Sequence, residues 1–360
     1  MSLSYPGRDT KGEARSIDNM QLPAHTDIPG SLPRDGVTAF RLINDELKQV
    51  KELMSKELLS CPGKVGVRRL VEHQNSSGGK MIRPGLVLLA GGAVGKITDK
   101  HIHIAAIMEM IHNATLLHDD VIDEGQSRRG RATVNSLWGN ESAVLLGDFL
   151  LSKVFKMCAD LEPHIVKIIA AAASRTCEGE LRQITQRGNW QLSETEYIDI
   201  ITDKSAALFS NCCYLGGFLG GAGETELRLL SDFGLNFGIA FQITDDLLDL
   251  IGDQNKTGKS IGNDLDNGKV TLPVINLIET ANEADKELVR GILEGCGKKG
   301  YEKRYDVLAE KLQSCGSIGY AQKRAQEFAG QAIAAIEGFS HSESKNALIE
   351  LSRFVTHRTT

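Results

Sequence analysis

The chain has 360 residues, of which 41% are hydrophobic and only 5% aromatic, and its formal net charge is −6. This length and composition suffice for a large buried core of Leu, Ile, Ala and Gly, in one large helical domain or two ordinary ones. The negative net charge argues against a nucleic-acid partner.

The N-terminal segment and the cysteines indicate where the protein works. Residues 1–36 mix Pro, Gly, Asp and Arg, which predicts a flexible tail before a single domain over 37–360, and they lack the pattern of a secretory signal. The seven cysteines are scattered without Cys-x-x-Cys spacing, so neither a disulfide framework nor a zinc site is indicated. The sequence therefore predicts a reducing, cytoplasmic location.

Apolar residues recur at helical spacing along the rest of the chain, and strand-like alternation is nearly absent. This pattern predicts an all-α fold, a bundle of long helices around a central cavity. The main apolar runs are residues 42–58, 102–117, 165–184, 227–250 and 308–336. The charge-free run 205–223 is too polar and glycine-rich for a membrane span, so we expect a buried helix with a loop and no transmembrane segment.

The first cationic pair lies in a glycine-containing turn. Lys80 and Arg83 follow Gly78 and Gly79 directly before the apolar run 85–95. Ammonium and guanidinium groups presented by such a turn suit phosphate oxygens. The turn therefore predicts an anion-binding site.

An aspartate cluster follows the apolar run 102–117. Asp119 and Asp123 are four residues apart and share one helix face, while Asp120 lies about a quarter turn away. Partly buried carboxylates this close repel one another unless a cation intervenes, and magnesium suits oxygen ligands shared with a diphosphate. The cluster alone is equally compatible with a solvated acidic surface.

A second cluster with the same spacing makes the acidic-surface interpretation much less favourable. Asp245, Asp246 and Asp249 again interrupt an apolar helical run. The polar, glycine-rich segment 257–264 and then Lys269 follow it, and we expect this segment to act as a lid over bound phosphates. Residues 252–260 superficially resemble a nucleotide-binding P-loop, but their spacing is one residue too long and they follow a helix rather than a strand.

The ordered set of motifs closely resembles the trans-type polyprenyl diphosphate synthases over about residues 80–273. These enzymes join isopentenyl diphosphate to an allylic diphosphate. The matching positions are Gly-Lys-x-x-Arg-Pro at 79–84, His112, Asp-Asp-x-x-Asp with Arg-Arg-Gly at 119–130, Gly147-Asp148-Phe149, Lys204-Ser205, Phe241-Gln242 with the second Asp motif at 241–249, Gly258-Lys259, and a closing helix at 348–354.

The resemblance implies a role for each matching position. Metal ligands would be Asp119, Asp120, Asp123, Asp245 and Asp249, binding three magnesium ions with substrate present, for which manganese can substitute. The catalytic residues would be Asp119, Asp120, Asp123, Arg128, Lys204, Asp245 and Lys259, of which Arg128, Lys204 and Lys259 would bind the allylic diphosphate. Isopentenyl diphosphate would meet Lys80, Arg83, His112 and Arg129, and Ser205, Gln242 and Lys269 would also bind substrate. The resemblance also implies a homodimer. Without it, His112 would be interpreted as an ordinary core histidine.

Product length should depend on the residues below the first Asp motif. Ala114 and Thr115 lie about one helical turn before Asp119, and Ile111 lies about a turn deeper. In the family that the chain resembles, a bulky aromatic residue at this position would end elongation at short products. Because Ala114 and Thr115 are small, we expect a product of four or more isoprene units.

Three rival functions remain open from the sequence. A terpene cyclase of the same fold would ionise a long diphosphate without adding isopentenyl units, but its second metal motif usually differs. A non-catalytic subunit of a heteromeric synthase would normally have lost some aspartates. A structural calcium-binding protein would not explain the spaced cations, and the sequence lacks the EF-hand pattern.

Overall fold

The structure is a computed structural model, and it describes residues 39–60, 65–76, 79–251, 263–293 and 302–357. The tail predicted over residues 1–36 lies outside these ranges, and so does Lys259. Both expectations stay predictions. The following statements concern the described residues.

Helices make up nearly all of the described chain. In chain order, the first ten are α1 Asn44–Leu59, α2 Val65–Ser76, α3 Ile82–Val94, α4 Asp99–Ile122, α5 Val134–Trp138, α6 Asn140–Cys158, α7 Pro163–Thr185, α8 Glu194–Ile201, α9 Ala207–Gly220 and α10 Glu224–Ile251. Then come α11 Asn263–Asp266, α12 Leu272–Thr280, α13 Glu283–Leu293, α14 Glu302–Ser314, α15 Ser317–Ala335 and α16 Glu343–Val355. The all-α prediction is confirmed.

Helix α3 is the centre of the larger core. Its residues from Ile82 to Gly91 are all buried, as expected for a helix that is apolar on every face. Helices α4, α9, α1 and α16 pack around it. Gly216 of α9 allows a close approach, because a Cβ atom there would lie 2.2 Å from the carbonyl oxygen of Val87.

A short hairpin follows α4. Strands β1 (Ser127–Arg128) and β2 (Arg131–Ala132) pair antiparallel, with Arg128 opposite Arg131. Asn135 fixes the hairpin to the end of α4, since its side-chain amide donates to the carbonyl oxygens of both Asp120 and Gly125 at 3.0 Å. The sequence patterns did not predict this hairpin, because two-residue strands are too short to show alternation.

A π-helical turn, Thr202–Ala206, joins α8 to α9 and carries Lys204 and Ser205. Such turns widen a helix locally and are frequent at functional sites. Gly179 of α7 packs directly against this turn, since a Cβ atom there would lie 2.2 Å from the backbone nitrogen of Lys204. Arg175 and Arg182 of α7 also bind the carboxylate of Asp203, at 2.8 and 2.9 Å. Helix α7 therefore fixes the position of Lys204.

A second core lies around the later part of α10. Ile243, Leu247 and Leu272 are buried there with side chains from α8 and α12 to α15. The sequence predicted one helical run over 308–336, but the structure divides it into α14 and α15. Gly316 causes the break, because its φ of +80° lies in the left-handed region that ends helices.

We expect Gly179→Ala to destabilise the protein, because the added methyl group would collide with rigid backbone of the π-helical turn. Overpacking of this kind costs about 1–3 kcal/mol in the free energy of unfolding. Thermal denaturation of the variant and the wild type would measure the loss.

Gly330→Ala is the matched control, since Gly330 lies within α15 and a Cβ atom there would meet nothing within 4 Å. This variant should gain up to about 1 kcal/mol from helix propensity. Equal melting temperatures for both variants would show that the contact at Gly179 is not tight.

Candidate active site

The first Asp motif lies at the C-terminal end of α4. The backbone N–H of Asp123 donates to the carbonyl oxygen of Asp119 at 2.8 Å and ends the helix. The helix dipole makes this end unfavourable for negative charge, so carboxylates here require nearby cations. Arg128 of the hairpin supplies one, because both its Nε and Nη2 atoms lie 2.8 Å from Asp120 Oδ1.

Two cationic side chains bind the carboxylate of Asp123. Arg187 Nη2 donates to Oδ1 at 2.8 Å, and Lys269 Nζ donates to Oδ2 at 2.6 Å. Lys269 also lies 3.4 Å from Asp264. Burial lowers the pKa of Lys269, but Asp264 and Asp123 raise it by more, so its pKa lies above the ordinary value and it carries its charge.

The same lysine links the first Asp motif to the second. Lys269 contacts both Asp123 and Asp264, and the backbone N–H of Asp264 donates to Asp249 Oδ2 at 2.9 Å. Asp249 belongs to α10, whose C-terminal end carries the second motif. An alternating chain of carboxylates and a lysine therefore links the two motifs, and we call the region around Asp119–Asp123, Asp245–Asp249 and Lys269 the chamber.

Asp246 of the second motif is buried and fixed by hydrogen bonds. Tyr197 Oη donates to Asp246 Oδ2 at 2.6 Å, and Gln242 Nε2 donates to Oδ1 at 2.8 Å. Ser205 in turn donates to Gln242 Oε1 at 2.7 Å. Burial and then neighbouring Asp264 raise the pKa of Asp246 to about 7, although the hydrogen bonds from Tyr197 and Gln242 lower it. Asp246 therefore orients the motif, while Asp245 and Asp249 lie less deeply buried beside it.

Asp119 is close to a cluster on α7 and the π-helical turn. Lys204 Nζ donates to Gln183 Oε1 at 2.6 Å and pairs with Glu180. Burial raises the pKa of Asp119 to about 6, with Lys204 lowering it and Glu180 raising it. Asp119, Glu180 and Lys204 therefore share one electrostatic environment.

The second cationic region is centred on Arg83 at the start of α3. Arg83 is buried, its guanidinium carbon lies 4.2 Å from the centroid of the Phe209 ring, and burial lowers its pKa while Glu109 opposes that change. Glu109 of α4 is only 3% exposed, and burial raises its pKa while Arg83 and Arg129 lower it. A buried carboxylate of this kind holds guanidinium groups in place.

Gly79, Arg129 and His112 complete this region. A Cβ atom on Gly79 would lie 3.0 Å from Glu109 Oε1 and 3.4 Å from Arg129 Nη1, so the glycine turn runs beside both side chains. Burial, followed by Arg83 and Arg129, holds the pKa of His112 well below its ordinary value, and His112 is neutral at pH 7. Lys80 lies half-buried beside Gly79.

The chain-length residues lie on α4 within the helical bundle. Ala114 and Ile111 are buried, whereas Thr115 is half-buried and its hydroxyl donates to the carbonyl oxygen of His112 at 2.8 Å. Four residues correspond to about 400°, so Thr115 lies about 40° from Asp119 around the helix, and Ala114 about 140°. Thr115 is therefore the residue directly below the first carboxylate.

Several residues of the chamber were not predicted from the sequence. Glu109 had a usable signal, because it is an acidic residue within the apolar run 102–117, one turn before His112. Glu180 and Gln183 had a weaker one, since they share a face of α7. Arg187, Tyr197 and Asp264 had none, because their contacts depend on how distant segments pack.

Comparisons with known proteins agree with this geometry. The sequence model of the family described as polyprenyl synthetase matches residues 65–309. The chain is 37% identical over 285 residues to octaprenyl diphosphate synthase from Escherichia coli, an alignment that covers 79% of this chain and 87% of that protein.

Solved structures show the same fold. The decaprenyl diphosphate synthase from Rhodobacter capsulatus superposes with a TM-score of 0.82 at 33% identity, covering 90% of this chain and 99% of that one. The polyprenyl synthase from Caulobacter crescentus, complexed with calcium and isoprenyl diphosphate, gives a TM-score of 0.86 at 30% identity, covering 93% and 100%. That relative binds a divalent metal together with a diphosphate.

These matches span most of the chain and agree with the motifs, so the expected family, fold and prenyltransferase activity are confirmed. The expected absence of a membrane span was tested only within the described residues, where no helix has the length and apolar character needed to cross a bilayer. The chain belongs to the polyprenyl synthetase family, the trans-type isoprenyl diphosphate synthases, which are prenyltransferases.

Proposed function

We propose that the chamber between the two Asp motifs binds an allylic diphosphate with magnesium and extends it with isopentenyl diphosphate to a product of four or more isoprene units. The observation that supports the proposal is the chain of contacts from Asp123 through Lys269 and Asp264 to Asp249, because it links the two motifs. The ligand roles of individual residues form part of this proposal.

The side chains of the chamber fit magnesium. Asp119, Asp123, Asp245 and Asp249 offer hard carboxylate oxygens, and both oxygens of Glu180 are buried without a hydrogen-bond donor, apart from the ion pair with Lys204. Within the described ranges, no three His, Cys, Asp or Glu side chains already converge on one point. Magnesium is typically held by a few carboxylates together with substrate phosphates, which suits such an open set.

We assign Asp119, Asp123 and Asp245 as the principal metal ligands, with Asp120 and Asp249 supporting them, and manganese as a substitute. When bound, the ions supply positive charge to the diphosphate leaving group. Arg128, Lys204 and Lys269 add hydrogen bonds that strengthen as negative charge develops on that group. We place Lys259 in the same role, although it lies outside the described residues.

Isopentenyl diphosphate fits the second cationic region. Arg83 and Arg129 offer guanidinium donors, Lys80 offers an ammonium group, and neutral His112 donates a hydrogen bond without further charge. Buried Glu109 interacts electrostatically with both guanidinium groups, which offsets part of their mutual repulsion. Asp245 lies close enough to act electrostatically on Arg83 and Arg129, so the two diphosphate sites adjoin.

The reaction then needs no side-chain nucleophile. The double bond of isopentenyl diphosphate attacks the allylic carbocation formed when the carbon–oxygen bond to the diphosphate breaks. The departing diphosphate takes the proton that the adduct loses, which leaves a product one isoprene unit longer. The apolar bundle below the motifs excludes water from the carbocation.

Product length follows from the space below Asp119. Thr115 and Ala114 are small, and Ile111 is the next side chain down the helix. Relatives named for octaprenyl and decaprenyl products support a product longer than farnesyl diphosphate. The exact length and the preferred allylic primer depend on which deeper side chain forms the floor.

We propose a homodimer formed through α6 and α7. Leu145 and Phe155 of α6 are 66% and 73% exposed, and Leu181 of α7 is 63% exposed. Leu181 belongs to an exposed stripe of small and apolar residues along one face of α7, Ala170, Ser174, Cys177 and Leu181. Exposed apolar faces of this kind mark protein interfaces, and a second copy is the commonest partner. A cytoplasmic location, inferred from the cysteine pattern, is part of the proposal.

The first test removes a carboxylate from each motif. The wild-type protein, supplied with magnesium, isopentenyl diphosphate and dimethylallyl, geranyl or farnesyl diphosphate, should form longer prenyl diphosphates. Asp119→Ala and Asp245→Ala should each lower kcat by about 100-fold or more, because electrostatic stabilisation of the leaving group is lost. Asp232→Ala is the control, since Asp232 lies on an exposed face of α10. Wild-type rates in either motif variant would refute the metal assignment.

The second test places a bulky residue below Asp119. Thr115→Phe and Ala114→Phe should both shorten the product, with Thr115→Phe having the larger effect because it lies directly under the carboxylate. Chromatography of the dephosphorylated products would measure the change. Thr115→Ser retains the hydroxyl and should leave the product length unchanged. A wild-type distribution from both Phe variants would defeat the ruler hypothesis.

The third test concerns the dimer. Size-exclusion chromatography with light scattering should give the wild-type protein the mass of two copies. The double variant Leu181→Glu/Phe155→Glu should have the mass of one copy, because it would bury like charges on both sides of the two-fold axis. Leu288→Glu is the control, since Leu288 is 36% exposed on α13, away from this face. A monomeric wild-type protein would disprove the proposal.

A further inference from the structure

Arg187 contacts the first Asp motif although no sequence motif includes it. It follows the end of α7, and its Nη2 atom donates to Asp123 Oδ1 at 2.8 Å. Its side chain is 29% exposed, so the guanidinium lies at the wall of the chamber and not in free solvent.

The backbone fixes the position of this guanidinium. The N–H of Gly188 donates to the carbonyl oxygen of Gly268 at 2.8 Å, and the N–H of Lys269 donates to the carbonyl oxygen of Asp264 at 2.8 Å. Arg187 and Lys269 therefore belong to two segments that hydrogen-bond to each other. Their side chains then approach the two oxygens of Asp123 as a pair.

Arg187 has donor capacity that the protein leaves unused. Its Nε atom is buried, and none of the described residues accepts a hydrogen bond from it. A buried donor without an acceptor is unfavourable, whereas the guanidinium fork fits two oxygens of a phosphate. An acceptor brought by a ligand beside Asp123 would satisfy this group.

We infer that Arg187 is a further binding residue for the diphosphate of the allylic substrate. Its guanidinium donates to Asp123 and, with substrate bound, to a terminal phosphate oxygen next to that carboxylate. The inference rests on the proposed function, because it uses the same diphosphate site. Arg83 and Arg129 lie in the other cationic region, so the effect of Arg187 should be confined to one substrate.

The experiment compares Arg187→Gln, Arg187→Lys and the wild type, with Arg228→Gln as a matched control on the exposed face of α10. Steady-state kinetics would give separate KM values for geranyl and isopentenyl diphosphate. Titration calorimetry with inorganic pyrophosphate, in saturating magnesium, would give a dissociation constant independent of turnover. Thermal melting would report whether each variant is folded.

We expect Arg187→Gln to raise both the KM for geranyl diphosphate and the dissociation constant for pyrophosphate by about tenfold or more, which corresponds to the loss of one charge-assisted hydrogen bond. The KM for isopentenyl diphosphate should stay within about twofold of the wild-type value, because a substitution at a distant, independent site changes binding only slightly. Arg187→Lys should recover part of the affinity, since it keeps the charge and loses the fork.

Two results would overturn the inference. One is unchanged pyrophosphate affinity in a folded Arg187→Gln variant, which would make the contact with Asp123 purely structural. The other is an equal rise in both KM values, which would mean a general distortion of the chamber. If the wild-type protein itself neither binds pyrophosphate with magnesium nor elongates geranyl diphosphate, the proposed function fails instead.

Discussion

The ion pairs of the Asp123 carboxylate are the interaction on which the chamber depends. Arg187 binds one of its oxygens and Lys269 the other, and Lys269 continues through Asp264 to Asp249. This chain connects the ends of α4 and α10, which belong to different parts of the sequence. Without these cations the carboxylates of the two motifs would repel each other, so the positive charges hold the two motifs together.

The two Asp motifs place carboxylates at or near the last described turns of α4 and α10. The helix dipole disfavours negative charge at the end of α4, where Asp119 to Asp123 lie. Asp119 and Asp246 carry a separate cost, because burial disfavours their charged forms and raises their pKa values to about 6 and about 7. Cations on α7, the hairpin and the segment after α11 offset that cost, and perturbed groups concentrated in this way are typical of active sites.

Much of the fold and part of the site could be predicted from the sequence, for local reasons. Helical periodicity gave the long helices, and four-residue spacing placed Asp119 and Asp123 on one face. The break at Gly316 was missed, because an isolated glycine in a helical pattern is usually tolerated. Arg187 could not be predicted, since its position depends on the hydrogen bond between Gly188 and Gly268, a contact between distant segments that no local spacing shows.

Under the proposed function, the chemistry and the product length depend on different parts of the same helix. The charged end of α4, from Asp119 to Asp123, is held by several independent contacts, so substitutions there disturb many partners at once. Thr115 makes only a local hydrogen bond to the carbonyl of His112, and its side chain is half-buried. Its size can therefore change without disturbing the carboxylates one turn above. Under the proposed function, this separation would let the product length vary while the charged site stays unchanged, and two similar relatives are named for octaprenyl and decaprenyl products.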